Sequence, residues 1–387
     1  MSWPIQRFAT LVADTKNALV GGPFGSKLTT RDYVDEGVPV IRGANMSNGR
    51  FILEDDFVFV TEEKKRKDLQ NNLARPGDLI FTQRGTLGQV AIIPDDASFS
   101  EFIVSQSQMK ATLDPEKADT AFYYYFFSSQ KVVDTILNMT SSSGVPHINL
   151  GTLKDFEVPV PDLPTQQRIA GILSAYDDLI ENNRRRIGLL EQAARLLYRE
   201  WFVHLRFPGH ETAKIIDGLP EGWEKTTLGK HCPLIYGKAL KAETRVDGPF
   251  DVYGSSGIVG THNKALTTGP AIIVGRKGNV GSVYWARRGF WPIDTVYFID
   301  PANSDFFTYF ALQNIAFQNT DVAVPGLNRD YAHTREIKLP PKELVQSFND
   351  RATVFLRQAE LLSSQNDALT RACDLLLPRL MDGRIPV

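Results

Sequence analysis

The chain has 387 residues, of which 42% are hydrophobic and 23% charged, with a net charge of −2. The length predicts two to three domains of ordinary globular composition, and the near-neutral charge gives no overall pull towards nucleic acid. No run approaches the roughly 18 apolar residues of a membrane span. Met1–Gln6 lacks signal-peptide character, and the isolated Cys232 and Cys373 form no metal-ligand pattern and suit a reducing cytoplasm.

Residues 1–160 read as a mixed α/β domain. Short apolar runs at Val38–Ile41, Leu79–Phe81 and Val90–Ile93 are bounded by Gly and Pro, as strands are. A helix is predicted over about 117–138, with Phe122, Tyr125, Phe126, Val133 and Ile136 inward, followed by a Ser-rich loop at Thr140–Gly144. The Pro-rich joint VPVPDLP (158–164) leads into a long helix from about Pro164 to His204, so residues 161–205 form a first spacer. A second globular domain, 206–340, has strands at Ile272–Val274 and Val296–Ile299 and an aromatic helix near 304–318. After the joint KLPPK, a second long helix is predicted from about Lys342 to Met381 within a segment 341–387, with Pro378 expected to kink or end its last turn.

The second half replays the first. RIAGILSAYDDLIENN (168–183) matches RATVFLRQAELLSSQN (351–366) at an offset of 183 residues, which pairs Asn183 with Asn366. GDLIFTQRGTLGQVA (77–91) lines up with GPAIIVGRKGNVGSV (269–283) if one residue is inserted in the second loop, which pairs Arg84 with Arg276. In the second long helix Ala352, Phe355, Ala359, Leu362, Asn366, Leu369, Cys373, Leu376 and Leu380 alternate by fours and threes, a coiled-coil seam. In the first, Ile169, Ile172, Tyr176, Leu179 and Asn183 begin the same way, and the step to Ile187 reads as a stutter. Two equivalent helices about a pseudo-twofold axis run antiparallel. Asn183 and Asn366 then either meet and fix the register, or remain exposed at a locally open seam.

Basic residues concentrate in Gly-rich loops. Val252–Ile293 holds no Asp or Glu but contains Lys264, Arg276, Lys277, Arg287 and Arg288, and 79–94 holds only Arg84 among basic residues. Such loops suit close approach to phosphate, or reflect chance spacing. Arg84 and Arg276 can fork onto guanine or phosphate, or simply tie down a turn. Gln83, Lys277, Asn279, Arg42, Asn45, Gln106 and Lys264 complete the candidate DNA-contacting set. The aromatic runs AFYYYFF (121–127) and FFTYF (306–310) have the spacing of core packing. The pairs Asp55-Asp56, Asp95-Asp96 and Asp177-Asp178 read as solvated surface. The histidines form no metal spacing, and no GxGxxG or GxxxxGK[ST] motif occurs.

These segments resemble the specificity subunits of type I restriction-modification systems. FDVYGSSGIVGTHNKAL (250–266) and AIIVGRKGNVGSVYWARRGFWPIDTVYFI (271–299) are similar to a target-recognition domain. So are GGPFGSKL (21–28), GVPVIRGANM (37–46) and RPGDLIFTQRGTLG (75–88), although the first module has Gly85-Thr86 where the second has Lys-Gly. The resemblance implies two α/β target-recognition domains joined by two long helices in an antiparallel coiled coil. Each domain would read half of a split, asymmetric site in double-stranded DNA. The helices would dock two methyltransferase subunits, with restriction subunits joining. No catalytic, cofactor or metal site is expected in this chain, S-adenosylmethionine, ATP and Mg belonging to the partners. The competing classes are a stand-alone nuclease or methyltransferase and a coiled-coil adaptor without a DNA role. The first lacks an Asn/Asp-Pro-Pro-aromatic motif, Pro340-Pro341 lying between Leu339 and Lys342. The second leaves the basic turns unexplained.

Overall fold

The computed structural model describes residues 3–46, 49–139, 147–319 and 326–387; the Ser-rich stretch Thr140–Gly144 lies outside them. The chain divides into two compact units, Met1–Asn183 with Ser364–Val387, and Arg184–Ser363. Each contains one globular domain and part of both long helices. Among the described residues no helix is long and apolar enough to cross a membrane.

In the first unit, Leu19–Gly21, Gln108–Ala111, Leu79–Thr82 and Val90–Ile92 form an antiparallel sheet in that order. A second sheet is ordered Val58–Val60, Val38–Ile41, Phe102–Val104 and Leu73–Ala74, with its central pair parallel. Leu79–Thr82 is buried throughout, which explains why it reads as a continuous apolar run rather than an alternation. The core gathers Phe8, Phe81, Tyr123 and Phe127, with Phe8 and Phe81 edge-on to Phe127 at 5.0 Å. Each such buried ring contributes about 1.5–3 kcal/mol.

The single helix expected over 117–138 is two, Thr120–Ser128 and Gln130–Asn138. Ser129 between them is extended and folds its hydroxyl back onto the Phe126 carbonyl at 2.7 Å. The break resets the helical phase, so Val132 is buried and Val133 only half-buried.

The second unit repeats this plan. Leu234–Tyr236, Val296–Ile299, Ala271–Gly275 and Val283–Ala286 form one sheet, and Gly257–His262, Phe250–Gly254 and Phe290–Pro292 the other. Its aromatic helix spans only Phe306–Gln313, not 304–318, because the Asn314 amide caps the Phe310 carbonyl at 2.8 Å.

The long helices run Leu163–Tyr198, extended by a wider turn Arg199–Val203, and Lys342–Met381. Pro378 does not end the second helix. In the first unit Ile169 and Leu173 pack with Leu380 and Met381, so the start of one helix meets the end of the other. In the second unit Tyr198, Trp201 and Phe202 pack with Phe348 and Ala352. The helices are therefore antiparallel in each unit.

The expected stutter is absent. Ile172 and Leu179 are exposed, whereas Leu173 and Ile180 are buried. The seam of the first helix thus runs Ile169, Leu173, Tyr176, Ile180, Asn183, Ile187, Leu190, Ala194, Leu197, Trp201, an unbroken alternation of fours and threes. Adjacent apolar pairs at 172–173 and 179–180 made both phases legible in the sequence, and packing selected one.

Candidate nucleic-acid interface

Each buried central strand delivers its chain into a tight glycine turn held by the neighbouring strand. In the first unit the amides of Gln83 and Arg84 both donate to the Ser107 carbonyl, at 2.7 and 3.3 Å. In the second the amides of Arg276 and Lys277 both donate to Thr295, at 2.9 and 3.1 Å. The turns close alike: Thr82 donates to Gln89 at 3.0 Å, and Gly275 to Ser282 at 2.7 Å. Ile148 donates to the Gln83 carbonyl, and Leu327 to that of Arg276.

These bonds correct the sequence alignment. The turns correspond at a constant offset of 193 residues with no insertion. Gln83 is therefore equivalent to Arg276, Arg84 to Lys277, and Arg84-Gly85 to Lys277-Gly278. Identity had drawn the two arginines together; backbone pairing sets them one residue apart. Gly88 and Gly281 share positive φ values of 85° and 76°. A Cβ on either would meet Val133 or Phe317 at 2.8 Å, so glycine is required there on both counts.

The candidate residues separate by environment. Arg84, Lys277, Asn279 and Lys264 are exposed, and among the described residues their side chains make no hydrogen bond or ion pair. Arg276 is half-buried: its Nη1 donates to the Asp294 carbonyl at 2.9 Å, and its guanidinium lies 5.0 Å from the Tyr236 ring and 5.8 Å from that of Tyr297. Burial, then the bond with Tyr236, pushes the Tyr297 hydroxyl up to about 12, and it donates to the Leu327 carbonyl at 2.8 Å. Arg276 therefore fastens the turn that presents Lys277.

Asn45 is fully buried. Its amide donates to the Leu53 and Asp55 carbonyls at 3.2 and 2.9 Å, and its oxygen accepts the Arg42 amide at 2.9 Å. With its bonds spent inside the domain it is withdrawn as a base reader. Arg42 is half-buried and donates to the Asp56 carbonyl. Gln83 is buried beside Gly21, with its Oε1 3.2 Å from where a Cβ on that glycine would stand. Gln106 is exposed, but its amide donates to the Gly25 and Leu28 carbonyls at 2.7 and 3.1 Å. Two residues of the acid-free stretch meet acids outside it, Arg287 with Glu360 at 3.8 Å and Arg288 with Asp251 at 3.5 Å.

The aromatic runs lie in the cores, with Phe122–Tyr125, Phe127, Phe307 and Phe310 buried. Asp177 and Asp178 receive the Tyr125 hydroxyl at 2.6 Å and Arg50 at 2.5 Å, which fastens the first domain to its stretch of helix. Sequence reasoning missed this role of Arg50, since a lone arginine carries no signal of a partner 128 residues away. It also took the loop Gly22–Leu28 only as part of the family resemblance and drew no candidate contact from it. A Cβ on Gly22 would stand 1.8 Å from the Ser105 carbonyl oxygen, and one on the equivalent Gly237 2.0 Å from that of Ile293. Both loops thus press against the turn beside the basic residues.

Residues 24–192 and 220–371 match the type I restriction modification DNA specificity domain. The chain belongs to this family. It is 22% identical to the type I restriction enzyme MjaIX specificity subunit of Methanocaldococcus jannaschii, over 92% of this chain and 89% of that protein. It is 23% identical to the HindI specificity subunit of Haemophilus influenzae, over 80% and 87%. The crystal structure of the type I restriction-modification S subunit from M. genitalium shares the fold, with a TM-score of 0.61, 18% identity, and 98% and 96% of the two chains covered. The chain is thus an α/β protein with a duplicated specificity domain and long linking helices.

Proposed function

We propose that the chain is the sequence-reading and scaffolding subunit of a type I restriction-modification complex and carries no catalytic site of its own. Each domain reads one half of an asymmetric bipartite site in double-stranded DNA. The observation that carries this reading is the pair of equivalent turns, each on a buried strand and each aiming an unpaired cation outward, Arg84 in one and Lys277 in the other. Rigid backbone with a free cation is what phosphate and guanine contact require. Asn279, Lys264 and Gln106 complete the proposed contact set; Arg276, Gln83 and Arg42 support the backbone beneath it. The two domains differ in sequence, so the half-sites differ.

The helices supply the second role. Leu189, Leu196, Val354 and Leu361 are exposed and recur at seven-residue spacing on their helices, outside the seam. A second apolar heptad stripe on a helix suits docking of another helix. Two such stripes suit two methyltransferase subunits, with restriction subunits joining the assembly. S-adenosylmethionine, ATP and Mg belong to those partners, in the cytoplasm.

Replacing 206–340 with the corresponding domain of a relative tests the reading. Sequencing of modified adenines should show one half-site changed, the other retained, and the spacer constant. Changes in both half-sites would show that the domains do not read independently.

A further inference from the structure

Phe24 is the most exposed large apolar side chain among the described residues, at 76% of its accessible area. Its loop is firmly held. The Gly22 amide donates to Gln108 at 2.9 Å, the Gln106 amide holds both Gly25 and Leu28, and Gly25 takes a left-handed φ of 63°. The turn Ser105–Ser107 that anchors this loop also accepts the amides of Gln83 and Arg84. Phe24, Gln106 and Arg84 are thus hung from one three-residue turn.

Phenylalanine is normally buried. Here Gly25, Ser26 and Lys27, which follow it in the chain, are all exposed and none carries a large apolar side chain. An exposed ring on a held loop, with the exposed Lys27 three residues on and Arg84 fastened to the same turn, fits a surface that is apolar inside and anionic at its edges. Stacked base pairs between phosphate rows have that character. In the second unit the residues matching Pro23 and Phe24 are Lys238 and Ala239, so no ring stands there.

We infer that Phe24 is an apolar wedge that enters the base stack within the half-site read by the first domain, and only there. The inference rests on the proposed function and assigns a DNA contact to a residue outside the basic set.

The test uses the full chain with its methyltransferase subunits and a duplex carrying the site mapped by methylation sequencing. 2-Aminopurine is placed at successive positions of the first half-site. Wild type should raise the fluorescence at one step, reporting unstacking. Phe24→Ala should abolish that rise and bind about 5- to 150-fold more weakly, the equivalent of ~1–3 kcal/mol for a stacked base. Its dependence on salt should be unchanged, since no phosphate contact is lost, and Phe24→Trp should restore the signal. Unaltered affinity and fluorescence in Phe24→Ala would overturn the wedge while leaving the sequence-reading role intact. So would an effect confined to the second half-site, or loss of methyltransferase subunits from the complex. A wild-type complex with no preference for its mapped site would overturn the reading itself and the wedge with it.

Discussion

Asn183 donates its side-chain amide to the Oδ1 of Asn366 at 2.9 Å, and Asn366 in turn donates to the Ile180 carbonyl at 3.2 Å. Both residues lie in the first unit and occupy the seam between the two antiparallel helix segments. Of the two arrangements open to them in the sequence, the residues adopt the paired one. A polar pair among apolar residues is satisfied only when both members are in register. We propose that it selects the alignment at a cost in stability.

Asn183→Leu alone should destabilise the first unit by about 0.5–1.5 kcal/mol, because it leaves the half-buried Asn366 Oδ1 without its donor. Asn183→Leu with Asn366→Leu should recover most of that loss, while broadening the population of helix registers. Denaturant unfolding of the single and double variants, with cross-linking to read register, checks both points. A single variant as stable as wild type would remove the pair from any structural role.

Arg84→Ala and Lys277→Ala should each weaken DNA binding without altering the fold, since both side chains are exposed and unpaired. If each contacts a phosphate, the slope of log affinity against log salt drops by about one and all sequences weaken alike. If each reads a base, one position of the site relaxes at a cost of about 1–3 kcal/mol. Arg276→Ala should behave differently, loosening the turn through loss of the Asp294 and Tyr236 contacts and lowering thermal stability as well as affinity. Binding titrations at several salt concentrations beside thermal melts separate these outcomes.

His333 accepts the Leu234 amide through Nε2 at 2.9 Å, so it must be neutral to hold the end of that strand. Burial, followed by the neighbouring Arg329 charge, lowers its pKa from 6.5. A histidine whose folded value lies below its unfolded value contributes stability above the unfolded pKa. That contribution is lost as pH falls below about 6.5 towards the folded value. Melts of the second unit should therefore weaken on acidification through this window. The change should be smaller in His333→Gln, which keeps an acceptor but does not titrate in that range. Equal pH dependence in both proteins would exclude His333 as the source.

Leu361→Glu and Leu189→Glu should impair recruitment of methyltransferase subunits while leaving stability within about 0.5 kcal/mol, as surface substitutions do. Native mass measurement at saturation should give two methyltransferase subunits per wild-type chain and fewer in the variants. A one-to-one wild-type complex would contradict the two-stripe scheme. The chain by itself should neither cut DNA nor transfer methyl groups; activity from a verified pure sample would overturn the non-catalytic reading.

Much of this architecture was legible before the structure. Buried strands such as Leu79–Thr82 announced themselves as apolar runs between turn residues, and the helix repeat gave the long helices and the equivalence of Asn183 and Asn366, leaving their pairing open. The failures share a cause. Where the sequence offered two adjacent solutions, only packing decided between them: Ile172 or Leu173 in the seam, Val132 or Val133 beyond the Ser129 break, Arg276 or Lys277 opposite Arg84. The candidate interface was legible as composition but not as exposure. Nothing local distinguishes Asn45, consumed by backbone carbonyls 8 and 10 residues ahead, from an asparagine facing solvent. Nor did a single phenylalanine between Pro23 and Gly25 declare that it would stand in water.

The equal length of the turns 83–89 and 276–282 has a practical consequence. Because glycines fall at the same places and the anchoring carbonyls match, the exposed side chains at 84 and 86 should exchange with those at 277 and 279 without remodelling the backbone. The proposed contact positions are thus separable from the frame that supports them. A library confined to positions 84, 86, 277 and 279 would sample new half-site preferences while the strands, cores and helices stay as they are.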